Sequence, residues 1–329
     1  MILQIIAGQE FWKGQDSFFL RVLEDIWSSR QPSTVEKYCY SLRSFFTFCL
    51  MIDDAFLLPV DTMRAAKFLT FLRDGQASKS SIKTALVSLK WLNNFFPGAQ
   101  DSLNDNFLSR IVDSALRNVS SSKNQKLPFS KSMIRDMMVL SPDPSLEELR
   151  DALIPSLSFS LLLRNDELRH LSCKHMILGS SGIKFKILSS KTDVYRNGRI
   201  LFLARQEDGF SVFDLLISYM KRGRLVIGEN KFLFGTITSS ENGDFVDGTR
   251  SVSYRKCLEV VKKKVSDLGL NPDLYATHSS RSGAATSLAR DVSTFELLVS
   301  GRWADPRSLN NYVEIGDSRR FEMSRHLFI

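Results

Sequence analysis

The feature that most constrains the fold of this chain is a break in its hydrophobic periodicity between Asn118 and Lys126. The stretch reads Asn-Val-Ser-Ser-Ser-Lys-Asn-Gln-Lys, which is polar and basic and has neither helical nor strand spacing. This composition is typical of a linker, which we place at residues 118–127. With 329 residues the chain is long enough for two separate cores. We therefore expect one domain at 1–117 and a second at 128–329.

The region before the linker has the spacing of amphipathic helices. Apolar residues recur every three or four positions within Val35–Cys49 and again within Ile82–Phe96. Asp61 can cap a third helix, and Asn104–Arg117 has the pattern of a fourth. The first domain is therefore predicted to be a helical bundle, with its aromatic residues in the core.

The region after the linker mixes helices with a small sheet. Leu149–Leu163 is a nearly continuous apolar run of helical length. Apolar and basic residues alternate in Ile183–Ile187, and a second apolar stretch, Ile200–Leu203, follows Asn197-Gly198. These patterns predict two strands joined by a hairpin that contains Lys191. The expected fold is mainly α with a small β-sheet, a helical bundle followed by an α+β domain.

Composition narrows the class of partner and site. The formal net charge of +8 favours a polyanionic partner, although it fits RNA, DNA or an acidic protein. The cysteines lack CxxC spacing and the chain has only four histidines, so neither a disulfide framework nor a zinc site is indicated. No apolar run reaches the roughly 18 residues that suggest a membrane span, and the start lacks a secretory signal. We expect an intracellular protein that uses no metal and no cofactor.

Several residues in the second domain form an ordered set suited to phosphodiester chemistry. A tyrosine phenol attacks a phosphate only where a base takes its proton, cations hold the phosphate and an acid supplies the leaving oxygen. The sequence offers a candidate for each function. The candidates are Arg164, Glu167, Lys191, His278, Arg281, Trp303 and Tyr312. Taken singly, each fits an ordinary structural role, because most loop lysines are solvated and most tyrosines pack in cores.

Two of these motifs resemble the arginine boxes of the tyrosine recombinase family, also called phage-integrase-like recombinases. Leu-Leu-Arg164-Asn-Asp-Glu167-Leu is similar to the first box. Thr-His278-Ser-Ser-Arg281-Ser-Gly is similar to the second. The resemblance implies that the helical first domain is a core-binding domain that contacts DNA and that the second domain is catalytic.

The remaining motifs follow the same family order. Ser-Lys191-Thr-Asp resembles the family's hairpin lysine motif, and Gly301-Arg-Trp303 resembles the box that holds its His or Trp. Tyr312 follows nine residues after Trp303, at the interval where the family places its nucleophile. Trp303 occupies a position that is more often His in bacterial members, and its ring can donate a hydrogen bond but cannot exchange a proton. The lysine and tryptophan motifs look most like recombinases of eukaryotic mobile elements of the Crypton or DIRS kind.

The resemblance implies strand exchange through a covalent intermediate. Tyr312 would attack the scissile phosphate, form a 3′-phosphotyrosyl bond and release a 5′-hydroxyl. The other expected roles are phosphate binding by Arg164 and Arg281, proton transfer from the tyrosine by His278, a hydrogen bond from Trp303, protonation of the leaving oxygen by Lys191, and orientation of the arginines by Glu167. A type IB topoisomerase, a telomere resolvase or a DNA-binding regulator with an unused active site are the alternatives.

The expected partners are double-stranded DNA with specific recombination sites and further copies of the chain. Candidate DNA-binding residues outside the active site are Lys79, Lys83, Lys123, Lys126, Lys262, Lys263 and Lys264, although each cluster also fits a solvated helix face. The tail at 313–329 carries apolar residues such as Phe321 and Leu327 with no evident partner. It either folds back or docks into a neighbour, as in the family's tetramers. The compartment would be the nucleus in a eukaryote, or the cytoplasm or nucleoid in a bacterial or viral context.

Overall fold

The structure, a computed structural model, describes two compact units of the chain. The described residues are 17–53, 58–99, 101–118, 126–188, 198–206, 211–241, 243–313, 321 and 324–325. The units are Met1–Lys123 and Asn124–Ile329. The division falls within 118–127, the range in which the sequence predicts a linker. DNA binding by the first unit and catalysis by the second stay predictions.

Helices form the described part of the first unit. They are α1 (Ser17–Ser28), α2 (Pro32–Met51), α3 (Thr62–Asp74), α4 (Lys79–Asn93) and α5 (Asn106–Asn118). The Asp61 side chain caps α3 and the Ser78 side chain caps α4, each by accepting a hydrogen bond from a first-turn N–H group. The core contains aromatic side chains, including Phe45 and Phe68, whose ring centroids lie 5.2 Å apart. The predicted helical bundle with an aromatic core is confirmed.

The second unit has a helical core flanked by two small sheets. Its helices are α6 (Lys131–Met137), α7 (Leu146–Ser160), α8 (Asn165–Arg169), α9 (Val212–Arg222), α10 (Tyr254–Asp267), α11 (Ser279–Leu288) and α12 (Thr294–Gly301). Helix α7 is central, because most of its side chains are buried and it contacts α8, α9, α10 and α11. Short 3₁₀ turns at Cys173–His175, Pro272–Leu274 and Pro306–Asn311 complete the described elements.

Five short strands make up the sheets that the described ranges contain. They are β1 (Met176–Gly179), β2 (Gly182–Ile187), β3 (Arg199–Ala204), β4 (Thr236–Thr238) and β5 (Phe245–Asp247). The order β1-β2-β3 is antiparallel, with Phe185 opposite both Met176 and Leu201, and β4 pairs with β5. The two predicted strands correspond to β2 and β3, whereas the sequence analysis missed the others. Lys191 lies outside the described residues, so its predicted hairpin position is untested.

The connection from α7 to α8 is a left-handed turn that the sequence analysis did not anticipate. The apolar run predicts a helix as far as Leu163, but α7 ends at Ser160. Leu162 adopts φ +46°, and the N–H groups of Leu162 and Leu163 donate to the carbonyls of Phe159 and Ser158. This is the hydrogen-bond pattern of a Schellman motif, which usually places glycine at the left-handed position. The turn ends the helix early and leaves Arg164 as the residue that precedes α8.

Two further findings concern the surface and the thiols. Among the described residues, no helix has both the length and the apolar character needed to cross a membrane. Cys49, Cys173 and Cys257 are buried, and Cys39 is partly buried. Burial raises the pKa of Cys173 and of Cys257 to about 11, so both remain protonated at neutral pH.

Candidate active site

Parts of the second unit that are distant in the sequence meet at the left-handed turn after α7. The turn and the start of α8 supply Arg164 and Glu167, and α11 supplies Arg281 from its first turn. The end of α12 supplies Trp303, and Tyr312 follows the last 3₁₀ turn. The sequence analysis singled out all of these residues, and the fold brings them together.

Arg164 and Glu167 form a closed pair at the start of α8. Arg164 Nη1 donates to Glu167 Oε1 at 2.9 Å, and the Arg164 backbone N–H donates to Glu167 Oε2 at 2.9 Å. The Glu167 carboxylate is almost completely buried, whereas the Arg164 side chain keeps a 15% exposed fraction. Two bonds from one residue to one carboxylate restrict the guanidinium while leaving part of it accessible.

The second oxygen of Glu167 is shared with a residue to which the sequence analysis gave no role. Arg302 Nη2 donates to Glu167 Oε2 at 2.7 Å, and both side chains are buried. Burial acts to raise the pKa of Glu167, but Arg302 and Arg164 outweigh it and hold that pKa below its ordinary value. The carboxylate is therefore ionised at neutral pH. Arg302 sits between the two residues of the Gly-x-Trp motif, and no spacing rule indicated that it would reach Glu167.

Arg281 lies at the bottom of the site and has no exposed surface. Its Nη1 and Nη2 donate short hydrogen bonds to the backbone carbonyls of Leu162 and Gly301. Its guanidinium carbon lies 4.4 Å from the centroid of the Trp303 ring and 5.2 Å from that of Tyr312, within the range of cation–π attraction. Burial, followed by the charges of the neighbouring arginines, lowers the pKa of Arg281 to about 10. The group stays charged at neutral pH.

Trp303 covers the glycine that precedes it by two positions. A Cβ atom added to Gly301 would lie 1.7 Å from Cζ3 of the Trp303 ring, so only glycine allows the ring to pack there. The ring is buried, and its Nε1–H has no hydrogen-bond partner within the described part of the chain. A buried donor without a partner is costly and commonly marks a ligand position.

Tyr312 is half-buried against the same small apolar cluster as Trp303. The two ring centroids lie 5.2 Å apart, and Thr286 Oγ1 donates to the Tyr312 backbone carbonyl at 3.2 Å. The residue directly follows the 3₁₀ turn Pro306–Asn311. The nucleophile candidate is thus held through its backbone and through one face of its ring.

His278 is exposed and occupies the position that precedes α11. Its backbone carbonyl accepts from Ser282 N–H at 3.0 Å, so His278 begins the helical turn that contains Arg281. The other proton-transfer candidate, Lys191, lies outside the described residues. The catalytic roles of both residues stay predictions.

The predicted DNA-binding lysines have different surroundings. Lys83 is exposed and Lys79 half-buried at the start of α4, whereas Lys123 lies outside the described residues. Three others contact acceptors: Lys126 Nζ the Asp273 carbonyl at 2.6 Å, Lys262 Nζ Asp273 Oδ1 at 3.0 Å, and Lys263 Nζ Asp151 Oδ2 at 3.4 Å. Lys264 is buried, and desolvation lowers its pKa. Because carboxylates already face Lys262 and Lys263, these contacts lend no support to phosphate binding there, and the assignments stay predictions.

The site as a whole is cationic and keeps unused donors. Among the described residues, three guanidinium groups, those of Arg164, Arg281 and Arg302, surround the carboxylate of Glu167. In addition to Trp303 Nε1, the Nε atoms of Arg281 and Arg302 are buried without a partner that the described residues supply. Excess positive charge together with unpaired N–H donors favours an anion.

No protein-family profile matches the chain. An integrase/recombinase xerD homolog from Selenomonas ruminantium is 22% identical over 295 residues, which cover 88% of this chain and 83% of the relative.

Solved structures with similar folds include XerH recombinase bound to a palindromic difH substrate, with a TM-score of 0.63, 15% identity, and coverage of 98% of this chain and 92% of that one. The Tn1549 transposon integrase with transposon right end DNA gives a TM-score of 0.56 at 16% identity and 98% coverage of both chains. A lambda integrase dimer bound to a core site gives 0.54 at 15% identity, covering 90% of this chain and 94% of that one.

These structures define the class of the fold as that of the tyrosine-type recombinases and integrases. The curated relative is an integrase/recombinase as well and matches this chain over most of both lengths, so the similarity extends from the fold to the sequence. The resemblance noted in the sequence is confirmed, whereas the eukaryotic mobile-element subgroup stays a prediction.

Proposed function

We propose that this protein cleaves and rejoins DNA strands at specific sites through a covalent 3′-phosphotyrosyl intermediate on Tyr312. The observation that carries the proposal is the cationic site itself. Arg164, Arg281, Trp303 and Tyr312 come from separate parts of the sequence and converge around one ionised carboxylate. A cluster that binds an anion beside a phenol is the arrangement that phosphoryl transfer to tyrosine requires.

The proposed cleavage step balances without an energy source. The Tyr312 phenolic oxygen forms a bond to the scissile phosphorus, and the bond from phosphorus to the 5′ oxygen of the next nucleotide breaks. His278 accepts the phenolic proton, and Lys191 donates a proton to the departing 5′ oxygen. One phosphodiester is exchanged for another, so rejoining is the same step in reverse with a 5′-hydroxyl of a partner strand as the nucleophile.

DNA would have to rearrange the site before the reaction. Arg281 is completely buried beneath the rings of Trp303 and Tyr312. A phosphate reaches this guanidinium only when the Tyr312 ring moves away from it. Trp303 Nε1, which lacks a partner among the described residues, would then donate to a phosphate oxygen. The incoming anion replaces the ring contact and satisfies the free donor.

The first test is covalent capture. Nicked duplexes tiled across the DNA that flanks the coding region serve as suicide substrates, since a nick near the scissile position lets the short leaving strand diffuse away. We expect the wild-type protein to form an SDS-resistant adduct on at least one duplex. Tyr312→Phe should bind the same duplex and form none, because only the nucleophilic oxygen is missing.

Tyr38→Phe is the matched control, because it removes a hydroxyl from a half-buried tyrosine in the first unit. This variant should form adduct at the wild-type level. An adduct that persists in Tyr312→Phe would exclude Tyr312 as the nucleophile. Relaxation of supercoiled DNA without site preference would instead favour the topoisomerase alternative.

We further propose that active assemblies are tetramers on double-stranded DNA, linked by exchange of the tail at 313–329. Most of this tail lies outside the described residues, but Phe321 is described and is 68% exposed. Phe295 and Val299 are one turn apart on α12, and both are exposed. An exposed apolar pair on a helix and an apolar tail are suited to each other, and burial in a neighbour would cover both. In a eukaryote the site of action would be the nucleus, and in a bacterium or virus the cytoplasm or nucleoid.

A further inference from the structure

We propose that Arg302 is a positioning residue for DNA cleavage, holding Glu167 and through it the Arg164 guanidinium in the orientation that receives the phosphate. The inference rests on the proposed function and adds a residue that the motif comparison leaves without a role. Arg302 is assigned no contact with the reacting atoms, because both of its terminal nitrogens are engaged by Glu167 and by backbone carbonyls.

The contacts of Arg302 anchor one side chain to four acceptors. Nη2 donates to Glu167 Oε2 at 2.7 Å and to the Leu162 carbonyl at 2.8 Å. Nη1 donates to the carbonyls of Leu161 and Ser300 at 3.3 Å and 3.1 Å. The planar fork of a guanidinium can make these bonds simultaneously, whereas a lysine ammonium cannot reach acceptors spread over such a plane.

Arg302 also contacts Arg164 through its main chain. Arg164 Nη2 donates to the Arg302 carbonyl at 3.5 Å, and Arg164 Nη1 donates to Glu167 Oε1. The phosphate-binding candidate is therefore fixed at both of its terminal nitrogens by groups that Arg302 controls. One is the carboxylate that Arg302 orients and the other is the Arg302 peptide itself.

The backbone of Arg302 is what makes this geometry available. Its φ of +58° lies in the left-handed region, and the N–H groups of Arg302 and Trp303 donate to the carbonyls of Val299 and Leu298. This is a second Schellman pattern, at the end of α12. Glycine is the residue usually preferred at such a position, so an arginine there is retained against a backbone cost. The four side-chain bonds account for its presence.

A comparison of three variants tests the proposal. Arg302→Lys and Arg302→Met both keep a side chain in the left-handed region, so the backbone cost is the same in both. Arg307→Met is the matched control, because it removes a nearby arginine that is 90% exposed and pairs only with Asp305 within the described residues. The measurements are the rate of adduct formation at saturating suicide DNA, the Kd for that DNA, and the pH dependence of the rate.

We expect Arg302→Met to cleave on the order of 10- to 100-fold more slowly, because a misplaced phosphate-binding group costs that much. The Kd should change less than about threefold, since the duplex contacts other residues. As the pH is lowered, the cleavage rate of this variant should begin to fall at a higher pH than that of the wild type. The charged groups of the described residues that act on Glu167 are Arg164, Arg281 and Arg302, and loss of Arg302 lets burial raise the pKa of Glu167. Protonation of the Glu167 carboxylate at acidic pH then releases Arg164 from its ion pair.

Arg302→Lys should cleave more slowly than the wild type, because it loses the planar guanidinium. As the pH is lowered, its rate should begin to fall at a pH between those of the wild type and Arg302→Met, because it keeps the positive charge. Arg307→Met should match the wild type in rate and pH profile. The proposal is overturned if Arg302→Met cleaves bound DNA within about threefold of the wild-type rate with an unchanged pH profile. If the methionine variant does not fold, the same criterion applies to Arg302→Lys.

A second readout does not depend on cleavage. In ¹⁵N-arginine NMR spectra, the guanidinium signals of Arg164, assigned by their loss in Arg164→Lys, should show slow rotation of the terminal nitrogens in the wild type. They should average in Arg302→Met, and they should remain resolved in Arg307→Met. Averaging only in the Arg302 variant supports the positioning role even if no tested DNA is cleaved, while resolved signals in Arg302→Met would contradict it. Absence of any wild-type adduct counts against the proposed function alone.

Discussion

At the scale of single residues, Trp303 combines a packing face with one buried donor that has no partner among the described residues. The indole packs over Arg281 and on Gly301, and its Nε1–H is the only hydrogen-bonding group it has. The packing stabilises the site, whereas the N–H group has no acceptor among the described residues. These two contributions can be separated because phenylalanine keeps an aromatic face and lacks the donor.

We therefore predict that Trp303→Phe folds but cleaves slowly. Loss of one donor to a developing anionic charge lowers rates by on the order of 10²-fold. Trp303→His should retain more activity than Trp303→Phe, because imidazole keeps an N–H group. The rate of adduct formation at saturating DNA and the melting temperature distinguish the effects. Wild-type cleavage by Trp303→Phe would show that the indole only packs.

At the scale of elements, α11 is held against the segment at residues 127–129, and this contact positions the second arginine box. Phe129 N–H donates to the Ser279 carbonyl at 3.0 Å. A Cβ atom on Gly283 would lie 2.0 Å from the Phe129 carbonyl oxygen, which is a backbone atom and cannot rotate away. The close approach of backbone to helix is therefore possible only with glycine at this position.

Gly283→Ala should consequently destabilise the protein. Helix propensity alone would favour alanine by about 1 kcal/mol. The overlap with Phe129 costs about 1–3 kcal/mol or more, because the helix must move as a body. We expect a lower free energy of unfolding in urea and slower cleavage, since Arg281 moves with α11. Ser282→Ala, at a half-buried position of the same helix, is the control and should stay near wild type.

Much of this architecture was predictable from local signals. The cap at Asp61, the long apolar stripes, and the two strands that pair at Phe185 and Leu201 follow from patterns a few residues long. The association of Arg164 with Arg281 came from resemblance to a family, because no local rule joins residues so far apart in the chain.

What sequence reasoning missed depends on tertiary context. Strand β1 has one buried residue, Met176, so it carries no alternating pattern, and β4 and β5 have three residues each. Leu162 occupies a left-handed position that glycine usually marks, and the continuous apolar run concealed the end of α7. The contact between Arg302 and Glu167 could not be predicted for a similar reason, because it forms only where the end of α12 meets the start of α8.

At the scale of the whole molecule, the two units divide the work that the proposal requires. The first unit has its own aromatic core, and the second contains every described residue of the candidate site. The net charge of +8 suits a partner that is a polyanion over its full length. Assembly on that partner would connect one active site to the next.

The tail provides the test of assembly. Deletion of 317–329 should reduce the species on DNA from tetramers to monomers or dimers, measured by light scattering of the complexes. Phe295→Ser with Val299→Ser should do the same from the proposed receiving surface, because it removes the apolar pair on α12. Val226→Ser is the control, since it removes an exposed apolar side chain elsewhere in the unit. Tetramers formed by both altered proteins would refute tail exchange.

The carbonyl of Leu162 accepts from both Arg281 and Arg302, so much of the charge compensation at this site comes from peptide groups and not from acids. A mutational scan of side chains would detect the carboxylate of Glu167 among the three arginines and would not detect the contribution of the Leu162 carbonyl. Substituting residue 162 leaves its oxygen in place. Only a change that redirects the peptide plane, such as a different ending for the preceding helix, could remove this acceptor, and both guanidinium groups would then lose one shared hydrogen bond at once.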